Sequence, residues 1–148
     1  MKSKQCWPNS IGIVKVFYDK EIVMSADKSC ECSVAPKLIF ACSGAADVGA
    51  LADQAARKLT QDGIGKMFCL AGVGGRVPGI MKSTEAAAAI LAIDGCPLDC
   101  TKLSLEEAGI SEFEHMVVTD LGLEKGKSPA TEENIATVVM AALSKLGV

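Results

Sequence analysis

Short apolar segments alternate with amphipathic segments along most of the chain. From residue 37 onward, the apolar segments read KLIFAC, IGKMFC, AAAILAIDGC and HMVVTD, beginning at residues 37, 64, 87 and 115. Their lengths and bounding glycines are typical of strands, whereas the segments between them have helical spacing. Strands that alternate with helices indicate a parallel sheet covered on both faces, so the pattern predicts a three-layer, Rossmann-like α/β domain with a mainly parallel sheet of about four strands.

Two of the amphipathic segments carry clear helix signals. In residues 47–63 the apolar side chains recur at helical spacing, and Gly63 follows as a stop signal. In the last segment Thr131 is the expected N-cap, and one face is apolar. The apolar residues of the two segments are Val48, Leu51, Ala52, Ala55 and Leu59 in the first, and Ile135, Val138, Val139 and Leu143 in the second.

The first 35 residues follow a different pattern and form a predicted N-terminal extension. IGIVKVFYDKEIVMSAD, residues 11–27, alternates apolar and polar positions around YDKE. This pattern fits a hairpin laid on the sheet edge, and it fits equally a segment used in homo-oligomer contacts. We expect one domain over residues 1–148, with the extension at 1–35 and the α/β core at 36–148.

Composition excludes two classes of partner. The chain has 148 residues, of which 49% are hydrophobic and 22% charged, and its net charge is -3. Nucleic-acid binding requires clustered Lys and Arg, which this chain lacks. The longest apolar run, residues 86–93, is far shorter than the roughly 20 residues of a membrane helix. Residues 11–18 are interrupted by Lys15 and have no small-residue cleavage site, so they do not resemble a signal peptide. We therefore expect a cytoplasmic protein with no nucleic acid or membrane as partner.

The seven cysteines are the most informative residues for function. In a reducing cytoplasm they do not predict a disulfide framework, which leaves metal binding, thiol chemistry or simple core filling. Cys42, Cys69 and Cys96 follow the first three predicted strands at equal intervals of 27 residues. Ligand sites in open parallel sheets are built at the carboxyl edge of the strands. The spacing therefore predicts a cluster of thiols at that edge.

The segment DGCPLDC adds a fourth thiol to this cluster. Pro97 suits the first turn of a helix, so Cys96 and Cys100 are predicted on one face near a helix N-terminus, where both should ionise more easily than a free thiol. Four thiolates satisfy a closed tetrahedral zinc site. Because three strand ends span about 10 Å, the loops must converge, and we expect the bends at Gly44 and Gly72.

Four stretches together resemble the DGC domain family of zinc-binding proteins. They are ACSG at 41–44, GKMFCLAGVGG at 65–75, AIDGCPLDC at 92–100 and HMVVTDLGLEK at 115–125. The resemblance covers residue 36 to the C-terminus. It implies four zinc ligands, Cys42, Cys69, Cys96 and Cys100, and it names a site rather than a reaction.

Other residues with metal-binding or thiol chemistry are expected to be peripheral. Cys30 and Cys32 precede the first strand and are placed poorly for the cluster, although a long loop could return them to it. Cys6, beside the only tryptophan, is predicted to be incidental. His115 begins the fourth strand, which predicts a position about 15 Å from the thiol edge.

Two strand-end carboxylates and one glycine-rich segment lie on the predicted thiol side. Asp94 and Asp120 are expected to cap a helix, bind a backbone amide or tune a thiol. The segment AGVGGRVPG weakly resembles a phosphate loop, with Arg76 as an anion contact beside Cys69.

Three functional hypotheses follow from these residues. The first is a zinc-binding protein whose metal is structural, sensed or delivered. The second is a thiol-redox or sulfur-handling enzyme with Cys96 as the nucleophile and Cys100 or Cys69 as the resolving thiol. The third is a small-anion binding module that uses the glycine-rich segment. The sequence leaves open whether the protein is an enzyme.

Overall fold

The computed structural model describes residues 35–148. The expectations for the N-terminal extension and for Cys6, Cys30 and Cys32 concern residues outside this range. Within it, a parallel sheet is covered by helices on both faces, which confirms the predicted α/β fold.

The sheet has four strands, and all of them are parallel. They are β1 (Lys37–Ala41), β2 (Lys66–Met67), β3 (Ala89–Asp94) and β4 (Glu114–Val117), in the spatial order β2-β1-β3-β4. The central strands β1 and β3 are nearly all apolar and buried, as expected for strands covered on both sides. Because every strand runs in the same direction, all four carboxyl ends meet at one edge.

Five helices and one 3₁₀ turn complete the described part of the chain. The helices are α1 (Asp47–Gln61), α2 (Leu70–Gly74), α3 (Pro78–Glu85), α4 (Cys100–Glu107) and α5 (Glu132–Leu146), and a 3₁₀ helix covers Val118–Leu121. The cap predicted at Thr131 is confirmed, because its side chain accepts a hydrogen bond from the Asn134 amide. The stop predicted at Gly63 is also confirmed, since Gly63 adopts a φ of 73° just after α1.

Side chains of alternating direction on β1 and β3 form two separate cores. Ile39 and Leu91 pack on the face covered by α1 and α5, whereas Leu38 and Phe40 pack on the face covered by α2, α3 and α4. This period of two is the ordinary consequence of strand geometry. The three-layer arrangement follows from it.

The second and fourth strands are shorter than the apolar pattern predicts. β2 ends at Met67, and the glycine-rich segment after it folds as the short helix α2. β4 ends at Val117, where the 3₁₀ helix begins, so the predicted continuation to Asp120 is wrong. Both short strands lie at the edges of the sheet, where each pairs with a single neighbour.

Gly95 brings the end of β3 directly against the first turn of α1. A Cβ atom at Gly95 would lie 2.8 Å from the backbone nitrogen of Gly49 and 2.9 Å from the carbonyl oxygen of Val48. Real Cβ atoms do not approach backbone this closely, so only glycine fits here. The contact fixes the distance between the β3 edge and α1.

No helix within residues 35–148 has the length and apolar character that crossing a membrane requires.

We expect Gly95→Ala to destabilise the fold by about 1–3 kcal/mol, because α1 or the β3 turn must shift to admit the methyl group. The measurement is the midpoint of thermal unfolding. Gly44→Ala is the matched control, since a Cβ at Gly44 would meet no atom within 4 Å. Equal melting temperatures for the two variants would contradict the close-contact argument.

Candidate metal centre

Four thiols lie at the carboxyl edge of the sheet. Cys42 directly follows β1, Cys69 and Cys96 each follow their strand by two residues, and Cys100 is the first residue of α4. All four are free thiols, and Cys69 and Cys100 are exposed. Since β1 lies between β2 and β3, Cys42 is central and the other strand-end thiols flank it.

Three of the sulfur atoms receive hydrogen bonds from the protein. The Gly95 amide donates to Cys42 Sγ at 3.2 Å, and the Gly72 amide donates to Cys69 Sγ at 3.3 Å. The Lys125 ammonium lies 3.6 Å from Cys96 Sγ. Outer-shell donors of this kind hold metal-binding side chains in position.

The prediction that Cys100 ionises more easily than a free thiol is wrong. Loss of water around the sulfur raises the pKa of the Cys100 thiol above its usual range, and the nearby charges of Asp94, Cys42 and Cys96 raise it further. The thiol therefore lies among other negative groups. A bound cation would favour the thiolate form of Cys100.

Cys96 and Cys100 do not share a helix face, so this prediction is wrong. Helix α4 begins at Cys100, whereas Cys96 opens a turn in which the Asp99 amide donates to the Cys96 carbonyl. Pro97 therefore lies in the turn and not in the first turn of the helix.

The four sulfurs do not form a ready-made set of ligands for a single ion. Within residues 35–148, no three of them are within 4.8 Å of one another, whereas sulfurs around one zinc ion are separated by about 3.8 Å. The bends also differ from those expected. After β1 the left-handed residue is Ser43, with a φ of 45°, and not Gly44, while Gly72 lies inside α2 against Ile80.

Asp94 is the central polar residue of this edge. Its carboxylate is 1% exposed, and it accepts hydrogen bonds from the Thr101 amide at 2.7 Å and the Lys102 amide at 3.1 Å. These amides belong to the first turn of α4, where backbone donors have no partner within the helix. The predicted capping role of Asp94 is confirmed, with the capping carboxylate supplied by a strand and not by the N-cap residue.

His115 lies beside Asp94, and the predicted distance of about 15 Å from the thiol edge is wrong. Its Nε2 atom is 3.1 Å from Asp94 Oδ2. The reason is register: Val117 pairs with Asp94 at the end of β3, so His115 lies only two residues before the edge. The apolar pattern alone does not reveal this stagger.

Two further residues near the thiols carry no sequence signal. Lys125 reaches Cys96 from the loop after the 3₁₀ helix. That loop is held by Asp47, which accepts hydrogen bonds from the Gly126 and Ser128 amides at 2.8 Å each. The N-terminus of α1 thereby fixes the segment that carries Lys125.

The anion-binding prediction gains no support from the contacts of Arg76. Its guanidinium donates to the carbonyl oxygen of Glu107 at the end of α4, and it lies 4.0 Å from the Glu107 carboxylate. Arg76 is therefore engaged with α4.

Asp120, the second carboxylate that the sequence predicts at a strand end, is exposed on the 3₁₀ helix.

Comparison with known proteins identifies a family model and a relative that are similar to this chain. The DGC domain model matches residues 38–142. The anaerobic and virulence modulator AnvM of Pseudomonas aeruginosa is 35% identical over 109 residues, which cover 74% of this chain and 83% of AnvM. No solved structure matches the chain.

We expect Asp94→Ala to destabilise the protein by about 1–3 kcal/mol, because the amides of Thr101 and Lys102 would lose their acceptor in a buried setting. Urea unfolding of the metal-free protein measures this loss. Asp120→Ala removes an exposed carboxylate from the same edge and should leave stability within about 0.5 kcal/mol of the parent. Similar midpoints for the two variants would argue against the capping role.

The lowered pKa of Asp47 predicts that the stability of the fold depends on pH. The Gly126 amide holds the pKa of Asp47 below its usual value of 3.8, with the Ser128 and Val48 amides adding to the effect against a partial loss of water. Because the folded-state pKa is depressed, the stabilisation is present above pH 3.8 and is lost as pH falls through the lower folded value. The stability difference between wild type and Asp47→Asn in urea should therefore be largest near neutral pH and shrink below pH 3.8. A difference that is constant from pH 7 to pH 2.5 would contradict this assignment.

Proposed function

The chain belongs to the DGC domain family, and we propose that it is a metal-binding protein that holds one zinc ion through Cys42, Cys69, Cys96 and Cys100. The observation that carries the proposal is the meeting of four free thiols at one edge of the sheet. A thiolate set of this size suits zinc better than the oxygen-binding ions Mg²⁺ or Ca²⁺.

The surroundings of the thiols support a site for a cation. Backbone amides donate to Cys42 and Cys69, as outer-shell donors do around metal thiolates. Loss of water and, after it, nearby negative charge raise the pKa of Cys100, and a bound cation would favour its thiolate form. When bound, zinc would neutralise these sulfurs and join the loops after β1, β2 and β3.

The sulfur separations favour a site that closes only on binding. Cys69 and Cys96 follow strands that are two positions apart, which is a spacing of about 10 Å, with Cys42 between them. The loops must therefore move inward for all four sulfurs to reach one ion. We assign Cys42, Cys96 and Cys100 as the primary ligands and Cys69 as the ligand that completes the set.

A regulatory use of the metal is favoured over a purely structural one. The fully buried side chains of both cores come from the strands and helices, and Cys42 and Cys96 are only partly buried against one of these cores. The relative AnvM is named an anaerobic and virulence modulator. We extend a modulator role of this kind to the present chain, with metal occupancy as the signal.

A second candidate is a thiol enzyme with Cys96 as the nucleophile. Lys125 lies 3.6 Å from its sulfur, and a cavity of about 450 Å³ is lined by Cys96, Pro97, Thr119 and residues 122–125. A cation beside a thiol in an accessible cavity is the usual environment of a reactive cysteine. This candidate requires Cys96 to be free of metal in the working protein.

Metal analysis tests the main proposal. Protein purified at neutral pH under reducing conditions should contain one zinc ion per chain. Cys42→Ser, Cys96→Ser and Cys100→Ser should each weaken zinc retention against a chromophoric chelator by more than about tenfold, and Cys69→Ser should have a smaller effect. Cys6→Ser is the matched control, because the sequence predicts Cys6 outside the site. Zinc below half an equivalent in fully reduced protein would contradict the proposal.

Alkylation separates the two candidates. In zinc-loaded protein all four thiols should react slowly with iodoacetamide, and a chelator should release them together. If Cys96 alone reacts rapidly in loaded protein, and Lys125→Gln slows that reaction, the enzyme candidate replaces the zinc proposal.

A further inference from the structure

Two carboxylates converge on the N-terminus of α4, and only one of them caps it. Asp94 accepts the hydrogen bonds from Thr101 and Lys102 that an N-cap side chain ordinarily takes. Asp99 occupies the N-cap position, with a φ of 51° and a ψ of 38°, but its side chain makes no capping bond. The Asp99 carboxylate therefore takes no part in capping α4.

The unused carboxylate is directed toward His115. Asp99 Oδ1 lies 3.8 Å from His115 Nε2, and the same nitrogen lies 3.1 Å from Asp94 Oδ2. Within residues 35–148, Asp99 Oδ1 is one of two buried side-chain oxygen or nitrogen atoms that lack a hydrogen-bond partner. A buried carboxylate oxygen without a donor is costly, and it points to a missing positive partner.

One ligand atom from each of these three side chains lies within 4.8 Å of the others. We propose that Asp94, Asp99 and His115 form a second metal site, separate from the thiols, for a divalent cation that prefers oxygen and nitrogen ligands. Mn²⁺, Fe²⁺ and Co²⁺ fit such a donor set, whereas the thiols select softer ions. This inference goes beyond the proposed zinc function and does not depend on it.

The Asp94 carboxylate has acceptor positions that its backbone hydrogen bonds do not use. An ionised carboxylate has about four acceptor positions, and the amides of Thr101 and Lys102 occupy two of those on Asp94. The cation would replace the contact between Asp94 and His115, and the imidazole would bind it through the lone pair of Nε2. Asp99 Oδ1 would gain its partner, while Asp99 Oδ2 keeps Lys102 Nζ at 3.8 Å.

Burial distinguishes this cluster from ordinary surface carboxylates. Asp94 is 1% exposed, and the side chains of His115 and Asp99 are 21% and 28% exposed. The site is therefore recessed, yet it keeps a route to solvent. Water or a second ligand would complete the coordination of an ion that has three protein ligands.

Manganese is the probe that tests this site, because Mn²⁺ binds carboxylate and imidazole in preference to thiolate. The zinc-loaded full chain is titrated with Mn²⁺ near pH 7.5, and the loss of the electron paramagnetic resonance signal of aqueous Mn²⁺ gives the bound amount. We expect one bound Mn²⁺ per chain. Asp99→Asn and His115→Gln should each weaken binding by at least about tenfold. Asp120→Asn, a matched change at an exposed carboxylate, should bind like wild type.

Zinc content and thermal unfolding are measured in the same samples. Unchanged zinc in Asp99→Asn and His115→Gln, with lost Mn²⁺ binding, supports two separate sites. Retained Mn²⁺ binding in protein that holds no zinc would overturn the zinc proposal alone. If folded wild type binds no Mn²⁺ up to about 1 mM, or if both variants bind it as wild type does, the cluster is only an ion pair and the second site is rejected.

Discussion

The buried carboxylate of Asp94 is the contact on which the rest of the thiol edge depends. It lies at the end of β3 and accepts hydrogen bonds from two backbone amides in the first turn of α4. It also contacts the His115 imidazole on β4. Three elements are thereby held by one side chain. Buried charge is tolerated only when it is well paired, so the carboxylate both requires these partners and fixes their positions. The turn that carries Cys96 and the helix that carries Cys100 are placed as a consequence.

Gly95 supplies the complementary constraint on the other side of the same turn. Its lack of a side chain lets β3 approach α1 until backbone meets backbone. The Gly95 amide then donates to Cys42 Sγ, so the same residue sets a packing distance and orients a sulfur. The three letters Asp-Gly-Cys therefore combine a cap, a close contact and a thiol in consecutive positions.

The sequence was sufficient for the fold class and for the elements of the sheet edge, because both follow from local periodicity. Apolar runs of strand length predicted β1 and β3 closely, and the spacing of Cys42, Cys69 and Cys96 follows from strand-helix repeats. The position of His115 was not predictable, because it depends on the register of β4 against β3. Register is a tertiary quantity that is set by packing between distant segments.

The turn at Pro97 is not predicted for a related reason. Asp94 caps α4 from outside the helix, and the helix begins at Cys100. No local pattern marked Lys125, whose loop is anchored by a residue nearly eighty positions earlier.

The order of the strands in space has a consequence for how the thiol edge is assembled during synthesis. Cys42 is the first of the four thiols to leave the ribosome, yet it occupies the middle of the finished edge, between residues that emerge later. The centre of the edge is thus made before either flank. The turn after β3 receives its cap only when α4 has formed, and Asp94 meets its imidazole only when β4 has docked. A nascent chain therefore displays Cys42 and Cys69 as separate, unassembled thiols, and the edge becomes a single unit only after α4 and β4 have been synthesised.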